Sequence, residues 1–305
     1  MSHTSLLDPL ILSKLPPIAL KALRVVEGTL SGSHQSPHHG QSIEFTEHKE
    51  YSIGDEIRHI DWKLFAKSDR YYIKQFEDET NLKAYLLLDT SESMAYPLSH
   101  QSNRTSKFNY SATLALSIAY LLFRQRDAVG LFTFNDQLQN LMPPKSRPSY
   151  LLPLSQMLEK QEPSGKTALV PVLQRMAELI RRRSMLIIFS DFFTDPNELT
   201  LLLKQFSHQG HDLILFHVMD ADEFNFPFKD QTLFEDMEQN DVKLQIDANE
   251  IRPYYLKELN NYLDYLKSAT SEAGIEYWLV NTDEPMEAIL RQFLLHRHHQ
   301  RRTKR

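Results

Sequence analysis

The sequence contains no cysteine. That excludes a disulfide framework, thiolate metal sites and thiol catalysis, and it fits a reducing compartment. Glycine is scarce, at 8 of 305 residues, and the glycine-dependent catalytic loops are missing with it. Gly165-Lys166-Thr167 lacks the glycine five residues upstream that a phosphate-cradling loop requires, so it is no nucleotide site. No Gly-x-Ser-x-Gly nucleophile elbow occurs. Long apolar runs are also absent near the start: Leu6 to Val26 is broken by Asp8, Lys14, Pro16-Pro17, Lys21 and Arg24, which leaves no membrane span there. The first residues show no basic stretch followed by an apolar core, so no signal peptide is expected. Positive charge is not in excess either. With a formal net charge of -6 the chain gives no reason to expect nucleic-acid binding. The expectation is a soluble, cytoplasmic protein.

What the sequence has is an ordinary globular composition, 41% hydrophobic, and enough length for one large domain or two ordinary ones. The most informative stretch is Leu82 to Met94. An apolar run, Tyr85 to Leu88, stops at Asp89, and Ser91 and Ser93 follow at alternate positions. A short aliphatic run bounded by polar turn residues reads as a buried strand. It delivers a carboxylate and two hydroxyls to its C-terminal end, where open α/β sheets bind their ligands.

Downstream, strands and helices alternate. The apolar runs Ala128–Phe134, Ser184–Ser190, Asp212–Val218 and Ile275–Val280 read as strands, with helical spacing between them. Asp195-Pro196-Asn197-Glu198 predicts a helix start, with cap, proline and acid in the favoured order. A helix is expected to open at Ser164–Leu169, and Asp220–Asp247 reads as an acidic, aromatic excursion with one or two short strands. This alternation predicts an α/β fold with a doubly wound, mainly parallel sheet. Ahead of it lie an amphipathic helix around Ile18–Leu30 and a dense block of charged and aromatic residues from Glu44 to Glu77. Within the block Ile60–Ala66 reads as a short helix and Tyr71–Glu77 as a strand. The histidines His34, His38, His39 and His48 match no compact zinc spacing. The expected organisation is an N-terminal region over 1–79 packed on the sheet domain, the sheet domain over 80–295, and a solvated basic tail over 296–305.

Asp89, Ser91, Ser93, Thr167 and Asp191 would meet at one crevice if the strands ending in Asp89 and Asp191 are neighbours at the point where the strand order reverses. Oxygen-only ligands suit a hard cation such as Mg²⁺, or Mn²⁺. Two carboxylates and three neutral hydroxyls would leave such an ion electrophilic, whereas a catalytic two-metal site would want more acids.

Asp89-Thr-Ser91-Glu-Ser93 resembles the Asp-x-Ser-x-Ser motif of the von Willebrand factor A domains, and Thr167 and Asp191 stand where the two remaining residues of that family's metal-ion-dependent adhesion site are expected. The resemblance implies direct coordination by Ser91, Ser93 and Thr167, with Asp89 and Asp191 acting largely through water, and an open position for a partner's Glu or Asp. The upstream residues Gly32, His34, Ser36, Gly40, Glu44-Phe45, Glu50-Tyr51, Gly54-Asp55, Arg58, Ile60-Asp61-Trp62 and Phe76-Glu77 resemble the signature of the bacterial DUF58 family. Members of that family join such a block to a von Willebrand A domain and are often encoded beside MoxR-type AAA+ ATPases. The resemblance therefore implies a non-catalytic, Mg²⁺-dependent protein-interaction module, an adaptor or co-chaperone to a MoxR-type ATPase. Asp55, Arg58, Asp61 and Trp62 are expected to form either a structural lock between block and sheet or a binding surface. The competing reading is a metal-dependent phosphatase or hydrolase using Asp89 and Asp191.

Overall fold

The computed structural model describes residues 14–31, 48–50, 72–74, 82–98, 104–238 and 242–303. Two units are distinguished, Met1–His34 with Leu82–Arg305, and Gln35–Asn81. The N-terminal helix α1 (Pro17–Ser31) thus belongs to the sheet unit. In the smaller unit, β1 (His48–Glu50) and β2 (Tyr72–Lys74) form an antiparallel pair with Lys49 opposite Ile73. The strand expected from Tyr71 is seen over those three residues. The helix expected at 60–66, and Asp55, Arg58, Asp61 and Trp62 with it, lie outside the described residues, as do His34, His38 and His39.

In the larger unit the elements run β3 (Lys83–Asp89), α2 (Lys107–Arg124), β4 (Ala128–Phe134), β5 (Leu138–Lys145), α3 (Leu151–Glu159), α4 (Leu169–Leu179), β6 (Met185–Ser190), α5 (Pro196–His208), β7 (Asp212–Met219), α6 (Ala221–Asn225), β8 (Gln231–Glu235), β9 (Lys243–Asp247), α7 (Ala248–Glu272), β10 (Glu276–Asn281) and α8 (Met286–Thr303). The central sheet has the order β10-β7-β6-β3-β4-β5. All its pairs are parallel except β4 with β5. The chain leaves β3 towards β4 and β5, then returns to place β6 on the other side of β3. The order therefore reverses between β3 and β6, and the sheet is doubly wound, in agreement with the sequence pattern.

Strand side chains alternate between two apolar layers, as the pleat requires. Leu86 and Leu88 join Ile187, Phe189 and Phe216 beneath α1, α2, α3 and α8. Leu87 joins Phe132, Ile188 and Leu215 beneath α4, α5 and α7. Burial on both faces explains why β3 and β6 read as continuous aliphatic runs rather than alternating ones. The edge strand β5 alternates between half-buried and exposed residues, and Pro143-Pro144 within it is tolerated because an edge needs no complete hydrogen-bond ladder.

Several boundaries differ from expectation. The helix after Thr167 starts at Leu169 and ends at Leu179. Asp220–Asp247 holds the two short strands expected there, paired as the antiparallel hairpin β8–β9, and adds the short helix α6. The stretch from His296, expected to be a solvated tail, continues α8 as far as Thr303. Its physical reason is Arg297, whose guanidinium bridges Asp212 (2.7 Å) and Glu276 (2.6 Å) at the starts of β7 and β10, while His296 lies edge-on to Trp278.

Candidate functional site

The carboxyl ends of β3 and β6 meet side by side, with Leu88 level with Phe189. The next residue pair makes the first contact of the site: Ser190 Oγ donates to Asp89 Oδ2 at 2.6 Å. The other Asp89 oxygen accepts the Ser91 N–H at 2.9 Å, which turns the chain so that the following hydroxyls return over the strand end. Thr90 fixes that turn by donating its N–H (2.7 Å) and its hydroxyl (2.8 Å) to the Phe134 carbonyl on β4.

Ser91 and Ser93 place their Oγ atoms 3.1 Å apart. A short 3-10 helix, Glu92–Ala95, follows, and Ser91 occupies its N-cap position without making a side-chain capping hydrogen bond. The ordinary reason for a serine at a strand-to-helix turn, capping, is thus not what its hydroxyl serves. Ser93 faces the neighbouring Asp191 and, behind the larger effect of Lys107, helps to hold that carboxyl below its ordinary value. Glu92, between the two serines, is half-buried.

Asp191 follows β6 directly and is buried at 8% exposure. The residue after it, Phe192, is wholly buried in the left-handed region at φ 50°, a conformation that costs an aromatic residue free energy. Its N–H donates to Ser190 Oγ at 2.9 Å, and its carbonyl accepts from the Tyr262 hydroxyl. These bonds hold the reversal that follows Asp191 and leaves Phe193 on the surface at 83% exposure.

Thr167 reaches the same end of the sheet through its neighbours. Ser164 N–H donates to the Thr90 carbonyl (2.8 Å), Glu92 N–H to the Gly165 carbonyl (2.9 Å), and Asn135 Nδ2 to the Ser164 carbonyl (2.9 Å). Gly165, at φ 77° and with the Asn135 side chain 3.1 Å from where a Cβ would stand, is the residue type this turn requires. Thr167 itself hydrogen-bonds Glu238, through its N–H and its hydroxyl, rather than the serines.

Charge decides the character of the cluster. Asp89 is fully buried, and burial, reinforced by the neighbouring Asp191 charge, pushes its carboxyl up to about 7. Among the described residues no lysine or arginine pairs with it. Burial acts upward on Asp191 as well, but the Lys107 ammonium 2.8 Å away outweighs it and holds that carboxyl below its ordinary value. Lys107 is itself 1% exposed and reaches Glu223 at 2.7 Å. The second Glu223 oxygen accepts the Asp220 N–H at 2.7 Å and completes a capping box on α6. A chain of contacts therefore runs from Asp191 through Lys107 and Glu223 to the end of β7.

Among the described residues no group of three or more His, Asp or Glu side chains is placed to hold a metal. The donor set at β3 and β6 is instead two carboxylates and nearby hydroxyls, oxygen only, which fits a hard cation. The buried, charge-raised Asp89 is the group that a cation would relieve.

Sequence reasoning did not find Lys107, Glu223, Ser190 or Glu238. A signal existed for Lys107: it opens a largely buried helix behind the N-cap Ser106, where a cation opposes the helix dipole. A lysine there has a use elsewhere.

Comparison with known proteins places these observations in a family. The model described as "Protein of unknown function DUF58" matches residues 47–262. Among curated relatives, the uncharacterized protein Rv1480 of Mycobacterium tuberculosis is 22% identical over 239 residues, 77% of this chain and 74% of that protein. The uncharacterized protein Mb1516 of Mycobacterium bovis matches to the same extent. Among solved structures, the conserved hypothetical protein BatB of Bacteroides thetaiotaomicron is similar over 69% of this chain and 96% of its own, with 14% identity and a TM-score of 0.46. The von Willebrand A domain of SpRpn10 is similar over 69% of this chain and 94% of its own, with 13% identity and a TM-score of 0.40. The von Willebrand A-like fold stands on the strand order, the burial pattern and the Asp89-x-Ser91-x-Ser93 turn described above. The family model covers more than two thirds of the sequence, and the chain belongs to the DUF58 family.

Proposed function

We propose that this protein is a non-catalytic, Mg²⁺-dependent protein-interaction module whose site is built from Asp89, Ser91, Ser93, Thr167 and Asp191. The observation that carries the reading is the wholly buried Asp89 at the switch point of the sheet, hydrogen-bonded to Ser91 and Ser190 and, among the described residues, without a cationic partner, beside two hydroxyls 3.1 Å apart. Ser91, Ser93 and Thr167 would hold the ion directly, and Asp89 and Asp191 through water. A bound Mg²⁺ supplies an electrophilic position for a partner's Glu or Asp. The chain's own residues keep the two acids apart in role: Lys107 neutralises Asp191, whereas burial beside that acid raises the Asp89 carboxyl, which a bound cation would hold ionised. The same arrangement speaks against phosphatase chemistry. Asp89 has no exposed surface and both its oxygens are engaged, an arrangement that suits a supporting role through water better than one as a nucleophile. The family's frequent neighbour, a MoxR-type AAA+ ATPase, is the partner proposed, with the protein acting as adaptor or co-chaperone in the cytoplasm.

The test is isothermal titration of the purified chain with Mg²⁺ and Mn²⁺, beside Asp89→Ala, followed by binding to a purified MoxR-type ATPase with Mg²⁺ and with EDTA. Metal binding lost in Asp89→Ala, and ATPase binding lost with EDTA, are expected. Equal ATPase binding in Mg²⁺ and in EDTA would remove the metal site from the docking mechanism. Turnover of a generic phosphoester that disappears in Asp89→Asn would restore the enzyme reading.

A further inference from the structure

Glu238 lies in the turn of the β8–β9 hairpin, and its carboxylate grips Thr167 with both oxygens. Oε1 accepts from the Thr167 hydroxyl at 2.8 Å, and Oε2 accepts from the Thr167 N–H at 3.0 Å. The two residues are 71 positions apart in sequence, so the contact is tertiary. It is also prepared: the Glu238 N–H donates to Asp236 Oδ1 at 2.8 Å, and the Asp236 N–H continues the hairpin ladder to the Val242 carbonyl at 3.0 Å. Neither partner's side chain is fully exposed. A carboxylate from this chain thus already sits on a hydroxyl of the proposed site.

We propose that Glu238 is an internal competitor for that site, closing it in cis until an acidic residue of the partner displaces it. The inference rests on the reading of the site given above and specifies its regulation. A tethered carboxylate faces its target at an effective concentration on the order of millimolar. A partner offering one weakly bound acid is excluded, and one that adds further contacts to that acid gains entry. Glu238 is a carboxylate, the group a partner would bring, so the hairpin also states the chemistry of the partner: an acidic side chain presented on a turn.

The experiment uses Mn²⁺ alone as the metal and acetate as the free carboxylate, with water-proton relaxation as the readout. The full chain is compared with Glu238→Gln, which keeps the shape and removes the charge, and with Asp89→Ala. Both the wild type and Glu238→Gln are expected to bind Mn²⁺ and Asp89→Ala is not. Acetate should displace metal-bound water in Glu238→Gln at concentrations at least ~10-fold lower than in the wild type. Glu238→Ala, checked for folding by circular dichroism, gives the same comparison with no side chain left to hold Thr167. If wild type and both Glu238 variants bind Mn²⁺ and respond to acetate alike, Glu238 does not guard the site, and the metal reading survives. If Mn²⁺ binding is the same in wild type and Asp89→Ala, the metal reading fails and the competitor fails with it.

Discussion

Lys107 Nζ stands 2.8 Å from Asp191 Oδ2, with both side chains almost wholly removed from solvent. A cation in the first turn of α2 opposes the helix dipole, so its position is explained by the acids it serves. Removing one member of such a buried cluster leaves the others uncompensated.

Lys107→Met is therefore expected to destabilise the metal-free chain by about 3–5 kcal/mol, measured by urea denaturation. A loss below about 1 kcal/mol would place the pair among ion pairs of surface strength. In the proposed site Mg²⁺ also restores part of the lost stability, because it supplies the missing positive charge.

Metal binding should stabilise the fold by mass action. At Mg²⁺ a hundredfold above its dissociation constant the gain is about 2.7 kcal/mol, which corresponds to a rise in Tm of roughly 5–10 °C. A thermal melt of the wild type should show that rise, and Asp89→Ala should show none. Equal shifts in both proteins would assign the effect to ions bound elsewhere.

Arg297 clamps the starts of β7 and β10 through Asp212 and Glu276, and the second Glu276 carboxylate oxygen, Oε2, is buried without a hydrogen bond. Arg297→Ala should cost about 3 kcal/mol by stranding the buried Glu276 charge. Truncation after Leu295 should cost at least as much in the same denaturation assay. A truncated chain as stable as the full one would return the last residues to the status of a dispensable tail.

Acid should weaken the fold through its buried histidines. His211 accepts the Ser184 N–H at Nδ1 (3.2 Å), and burial pushes its pKa below the ordinary value; burial pushes His217 down to about 4. The unfolded chain takes up these protons near about pH 6.5, while the folded rings resist them. Stability is thus full above that pH and falls as the pH drops towards the folded values. Unfolding free energies measured across this range should decline with acid, and His211→Asn should flatten the decline. An unchanged slope would show that His211 is not among the groups responsible.

The parts of the fold legible in the sequence were those written by local pattern. β3 and β6 announced themselves because a strand buried on both faces must be aliphatic throughout, and Asp89 because a carboxylate at the end of such a run is conspicuous. The pairing of β3 with β6 followed from topology. What escaped was set by single long-range contacts. Lys107 carried a local signal, a cation at the head of a helix, but nothing local records that Asp191 and Glu223 enclose it. Glu238 was one acid in an acidic excursion. The residues after His296 looked solvated because their charge is dense, yet one of them, Arg297, is recruited inward by two acids that lie 85 and 21 positions away.

The Ser190–Asp89 hydrogen bond joins residues 101 positions apart, and Glu223 and Glu238 lie later still. A chain emerging from the ribosome delivers Asp89, Ser91 and Ser93 long before β6 exists to pair with β3. Through that interval the serine turn belongs to an incomplete sheet with one flank open. The site comes into being only when the second half of the domain has docked. Its assembly is thus a late event in the folding of the chain, and under the proposed reading nascent chains halted before residue 190 should not bind the metal.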